Sequence, residues 1–215
     1  MSPVSMEVRM EQEKRMLGDY TVLTSFRIGK YEIGLCENQN APKDERLLCG
    51  FIESNGIFER MIDCMVSDSF ADISTVYGDR IAEKAEEVQM ELEHIQKNVG
   101  DDSELTAKDC MPTSYEDNLE GKIIVLRGDI LRREYKRASN QLLLCTGGSG
   151  SRPNPYGRTC YAVHLYDAKQ TQCWRQDILG VVPEDRLPEW AKKGLEAIRQ
   201  QSTEMSKKKD TRGDR

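Results

Sequence analysis

Histidine is nearly missing from this sequence, and that scarcity narrows the chemistry first. Only His94 and His164 occur in 215 residues. Two histidines cannot support a Ser-His-Asp reading, and they limit any histidine-based zinc site. Seven cysteines are present (36, 49, 64, 110, 145, 160 and 173), but no CxxC pair is among them. The count is odd, and the start of the chain has neither a basic n-region nor an apolar h-region. The expectation is therefore reduced thiols in a cytoplasmic protein. Long apolar runs are also lacking. The longest, Ile123–Leu126 and Leu142–Cys145, have the length of strands, so no segment reads as a membrane span.

Phosphate-binding signatures are missing in the same way. A P-loop requires Lys and Ser/Thr after its last glycine and then a helix, whereas Gly157-Arg158-Thr159 runs into a strand pattern. A dinucleotide fingerprint also requires a following helix and is excluded on that ground.

What the chain has in abundance is charge, unevenly placed. The net charge is −6. Residues 1–119 hold 12 Lys/Arg against 25 Asp/Glu, residues 120–175 hold 10 against 4, and residues 176–215 hold 9 against 8. An acidic first part and a locally basic second part imply two regions of opposite potential.

Periodicity predicts an α+β protein. Tyr20–Ile28 and Tyr31–Cys36 alternate about Gly29-Lys30 and read as a hairpin. Leu47–Glu53 and Ile57–Met61 flank Asn55-Gly56, which suits a type I′ turn. After Asp68 or Ser69, apolar residues from Phe70 to Val99 recur at three- and four-residue steps, and Gly100 ends the pattern. The expectation is one long amphipathic helix packed on N-terminal antiparallel hairpins. A small, mainly antiparallel β domain with a C-terminal helix follows, with strands at 122–126, 141–145, 160–165 and 171–174 and a helix at 188–201. The expected boundaries are a flexible 1–18, an acidic domain 19–100, a linker 101–119, a glycine-loop domain 120–201 and a disordered basic tail 202–215.

Three constellations are candidates for chemistry. In the first, Gly147, Gly148 and Gly150 expose backbone N–H groups between two strands, with Arg152 and Arg158 as charged donors; this pattern suits an anion. A flexible loop stiffened by Pro153 and Pro155 is the plainer alternative. In the second, Arg127, Arg132, Arg133, Lys136 and Arg137, interrupted by Asp129 and Glu134, form a basic surface for a phosphate backbone. Tyr135, Tyr156 and Tyr161 supply the aromatic interleaving. In the third, Cys145, Cys160, His164 and Cys173 fall on adjacent strands, where core thiols are favoured over a metal site or a Cys–His dyad. No metal and no cofactor is expected. The long helix adds an acidic face of Glu83, Glu86, Glu87, Glu91 and Glu93.

The run Gln141-Leu-Leu-Leu-Cys-Thr-Gly-Gly-Ser-Gly, then Pro-Asn-Pro-Tyr-Gly-Arg-Thr-Cys, resembles a family of small accessory proteins. Its members are carried by conjugative elements, plasmids and phages of Gram-positive gut bacteria. Asp177-Ile-Leu-Gly-Val-Val and Leu187-Pro-Glu-Trp-Ala extend the resemblance, which runs from about Thr24 to Gln200. The family brings no established catalytic residues. It brings a setting in which counter-defence proteins such as anti-CRISPR inhibitors of Cas9 are frequent. The implied function is non-enzymatic inhibition of a Cas9-type nuclease, either through the acidic face or by engaging guide RNA or target DNA. One alternative is a nucleic-acid-binding accessory protein of element transfer or regulation. Another is an enzyme acting on nucleotide or RNA through the glycine loop, for which a bulky residue at Gly148 should abolish cleavage without unfolding the chain.

Overall fold

Alternation at the start of the chain builds a five-stranded antiparallel meander. The strands are β1 (Met16–Leu17), β2 (Tyr20–Ile28), β3 (Tyr31–Glu37), β4 (Leu47–Ser54) and β5 (Glu59–Ser67), in the order β1-β2-β3-β4-β5. The computed structural model describes residues 15–55 and 57–210, the last eight as backbone only. Residues 1–14 of the expected flexible N-terminus, and Gly56 of the Asn55-Gly56 turn, lie outside the described residues. At that turn, Asn55 Oδ1 accepts from the backbone N–H groups of Ile57 and Phe58 at 3.0 Å each, and pairing resumes only at Glu59. The last strand thus begins two residues later than alternation suggests and runs on to Ser67.

Each face of this sheet carries a buried cluster. Helix α1 (Phe70–Val99) starts on Ser69, whose Oγ accepts from the Asp72 N–H at 3.2 Å, and it ends at Gly100 with φ of +76°. Its Ile73, almost fully buried, packs among Ile33, Leu35, Leu47 and Cys49. On the same side, the Arg80 guanidinium lies 5.2 Å from the Phe51 ring centre, and the Lys84 ammonium lies 5.0 Å from that of Tyr31. On the opposite side, Leu17, Cys36, Leu48 and Ile52 form a second cluster. There the buried carboxylate of Glu32 accepts from Arg15 at 2.5 Å and pairs with Arg27 at 2.8 Å. Burial alone would raise this carboxyl, but hydrogen bonds from Arg15, Arg27 and Ser25 outweigh it and hold the group below its ordinary value.

The chain falls into two compact units, 1–90 and 91–215. The second contains β6 (Ile123–Leu126), the short helix α2 (Ala138–Gln141), β7 (Leu142–Gly147), β8 (Thr159–His164), β9 (Gln170–Trp174) and β10 (Ile178–Val182). Its strands are all antiparallel, in the order β10-β6-β7-β8-β9. Helix α3 (Glu189–Asp210) covers one face through Ala191, Leu195 and Ile198, which meet Ile123, Val125, Leu142 and Val163. Its backbone stays helical past Gln201, through most of the stretch read as a disordered tail. The other face buries Ile124, Leu143, Cys145, Cys160, Ala162 and Cys173 beneath Leu119 and Leu131.

The stretch 101–119, read as a linker, is bonded into this unit. The Asp102 carboxylate accepts from the backbone N–H and the hydroxyl of Ser139 in α2, each at 2.7 Å. Gln141, fully buried, accepts from the Leu105 N–H at 2.7 Å and donates to the carbonyls of Leu105 and Leu126. Met111 bridges to Val181. These partners lie tens of residues apart in sequence, so composition alone reads the stretch as loose.

Candidate nucleic-acid interface

The connection from β7 to β8 is an ordered turn whose glycines serve close backbone approach. Gly147 and Gly148 have φ of +143° and +109°, a region that favours glycine. A Cβ on Gly148 would stand 2.4 Å from the Thr159 carbonyl oxygen, and one on Gly150 would stand 2.5 Å from that of Arg158. Several N–H groups of the loop are used within the chain. Gly150 donates to Thr159 at 2.7 Å, Ser151 to Gly148 at 3.3 Å, and Asn154 to the Tyr115 carbonyl at 2.9 Å. Ser151 is fully buried, and its hydroxyl donates to the Gly148 carbonyl at 2.9 Å.

A cation, not an anion, fills the concavity. The guanidinium of Arg175 donates to the carbonyls of Gly150 at 2.6 Å, Ser114 at 2.8 Å and Asp117 at 2.8 Å, and it also reaches that of Arg152 at 3.2 Å. Of the three glycines read as an anion nest, Gly150 spends its N–H within the loop, and Gly148 and Gly150 serve close backbone approach. The loop presents carbonyls inward, and one arginine fork collects them.

Arg152 and Arg158, by contrast, project from this fixed loop into solvent, and neither makes an ion pair with a described residue. Around them stand exposed aromatics. Tyr156 is fully in solvent, while Tyr161 and Trp174 are 55% and 54% exposed. The register pairs Thr159 with Trp174, Cys160 with Cys173 and Tyr161 with Gln172. Side chains alternate across the sheet, so the cysteine pair points into one core and Tyr161 and Trp174 share the opposite face, which α3 covers at Val163 and leaves exposed here. They are diagonal neighbours on adjacent strands.

The other basic cluster is differently placed. Arg133, Lys136 and Arg137 border an open depression of about 350 Å³ that Asp101, Asp102, Glu104 and Glu134 also line. Arg137 Nε donates to the Glu134 carbonyl at 3.3 Å, and Arg127 is paired with Asp129 at 2.6 Å. Arg132 is exposed in the same segment. Tyr135 is half-buried and donates to Glu91 at 3.4 Å; burial first and the Glu91 charge second push its hydroxyl up to about 12. It is not free to stack. This cluster is of mixed sign, whereas residues 146–158 contain no acidic residue.

On α1, the acidic face is partly spent. Lys84 pairs with Glu83 at 2.9 Å and with Glu87, and Glu87 also accepts from the Tyr31 hydroxyl at 2.9 Å. Glu91 takes the Tyr135 hydroxyl. Glu86 and Glu93 are exposed.

The cysteine expectation divides. Cys145, Cys160 and Cys173 come together in the core. The bond to Cys160, together with burial, holds the Cys145 thiol protonated, above the ordinary thiol range. His164 instead ends β8 beside Asp167 and Lys169. Among the described residues, no cluster of three or more His, Cys, Asp or Glu has an arrangement suited to a metal ion.

Sequence reasoning missed Trp174 and Arg175. For Trp174 a signal existed: in a strand where Cys173 faces one core, its neighbour must lie on the opposite face. For Arg175 there was none, because its carbonyl partners lie 23 to 61 residues away. No family model, no curated protein and no solved structure matches the chain.

Proposed function

We propose that this chain is a non-enzymatic nucleic-acid-binding accessory protein working through the β7–β8 loop and the face of β8 and β9 that bears Tyr161 and Trp174. One observation carries the reading: Arg152 and Arg158 are exposed on a loop locked by Arg175, beside three exposed aromatic side chains. Fixed cations next to ring faces are what a phosphate backbone and its bases require. An accessory role in element transfer or regulation is compatible with the mobile-element resemblance. Inhibition of a Cas9-type nuclease through the acidic helix face has weaker support, because Glu83, Glu87 and Glu91 already serve partners within the chain.

The test is fluorescence anisotropy with a labelled oligonucleotide at low salt, comparing the wild type with the Arg152→Glu/Arg158→Glu double variant. The variant should bind about tenfold more weakly or worse. Its salt dependence should flatten by about 0.7 in log–log slope for each phosphate that is no longer neutralised. Equal affinity in the two proteins, or no binding by the wild type, overturns the reading.

A further inference from the structure

We infer that Tyr161 and Trp174 form a stacking platform, so that the partner is single-stranded nucleic acid rather than a duplex. The inference rests on the nucleic-acid reading above and adds the form of the ligand. Isolated apolar residues at a surface need no explanation, but two large rings on adjacent strands, on one face and at diagonal register, form a surface. Diagonal positions across an antiparallel pair are about 7 Å apart. That is about twice the 3.4 Å rise between stacked bases in one strand. Two rings so spaced fit successive bases that have been splayed apart, and only a single strand can offer its base faces this way.

The two strands are uncharged along the platform, and the carboxylate of Glu120 stands beside Gly147. Neither Thr159–Val163 nor Gln170–Trp174 contains an acidic residue. Gln172, paired with Tyr161, stands on the same face with an amide suited to base edges. Arg158 directly precedes Thr159, the residue paired with Trp174, which puts a phosphate-binding cation at the end of the platform. Tyr156 adds a third ring from the loop. Among the described residues, no other ring stacks on Tyr161 or Trp174, whereas the second tryptophan, Trp190, packs from α3 against the core and meets Tyr166 edge-on.

The experiment titrates the full chain with single-stranded oligothymidylate, with a duplex of matched length and with heparin, following anisotropy and tryptophan emission. The wild type should prefer the single strand over the duplex, and its emission should be quenched. Trp174→Phe should lose the quench yet keep most of the affinity, since a phenyl ring still stacks. Tyr161→Ala/Trp174→Ala should weaken single-strand binding about tenfold or more and leave heparin binding unchanged. Both side chains are exposed, and an unchanged thermal midpoint confirms that the variants fold. If duplex and single strand bind equally and the aromatic double variant loses nothing, the platform is refuted while the arginine reading survives. If the wild type binds none of the three, both fall.

Discussion

His164 shows how one side chain ties the second unit to pH. It closes β8, its carbonyl accepts from the Ala168 N–H, and it is half-buried near Asp167. Burial lowers its pKa from an ordinary value near 6.5, and the Asp167 charge only partly opposes this. The unfolded chain therefore takes up the proton at higher pH than the folded one. The contribution of His164 is fully present above about 6.5 and is lost as pH falls from there toward the lower folded-state value. Denaturation followed across pH 8 to 5 should show this loss, and His164→Gln should flatten it. The carboxylate losses, that of Glu32 among them, begin only near 4.5 and below, so the two windows separate. Equal pH profiles for wild type and variant between 7 and 5 would rule the assignment out. The sequence marked His164 as a residue of interest, but its distance from the cysteine row depends on which end of β8 each residue occupies.

At the scale of elements, the β7–β8 hairpin carries the sharpest disagreement between sequence and structure. A glycine run flanked by arginines reads equally well as an anion cradle or as a tight turn, because both need a missing Cβ. Hydrogen bonding decides between them. The loop N–H groups at 150, 151 and 154 are used internally, and Arg175 occupies the carbonyl side. Gly148→Ala should therefore destabilise the protein by about 2–4 kcal/mol through positive φ and collision with the Thr159 carbonyl. The midpoint of chemical denaturation reads this directly. An alanine variant as stable as the wild type would reinstate the glycines as a ligand-approach site. It is also why a bulky residue at Gly148 does not separate catalysis from folding, as the enzyme alternative supposes. Helix α1, in contrast, was legible almost to the residue, from the serine that caps it to the glycine that ends it, because its signal lies wholly within one periodic stretch.

For the whole molecule, the seven cysteines give a count of what the fold encloses. None is in a disulfide; Cys64 is exposed, Cys110 partly so, and the other five are buried. Burial pushes the Cys36 thiol up to about 11 and raises that of Cys64 as well. Titration of the native protein with Ellman's reagent should consume Cys64 first and Cys110 more slowly, with both rates rising with pH. Cys36, Cys49, Cys145, Cys160 and Cys173 should react only after denaturant is added. Rapid labelling of more than two thiols in the native protein would contradict the arrangement of both cores. The described residues contain no helix long and apolar enough to cross a membrane, in line with the short apolar runs.

Local pattern was enough for the α+β class, for the antiparallel strands other than β1 and β10, and for the helix that covers the first sheet, since each follows from spacing within a few turns of chain. Local pattern also located the arginines, although it did not rank them. Long-range pairing decided the rest: Arg175 gathering carbonyls from distant segments, Asp102 and Gln141 fastening a polar stretch, and Asp101, Asp102 and Glu104 brought beside one basic cluster. A hydrogen bond or ion pair between residues far apart in sequence leaves no periodic trace, so only the folded chain discloses which cations and rings remain open to a partner.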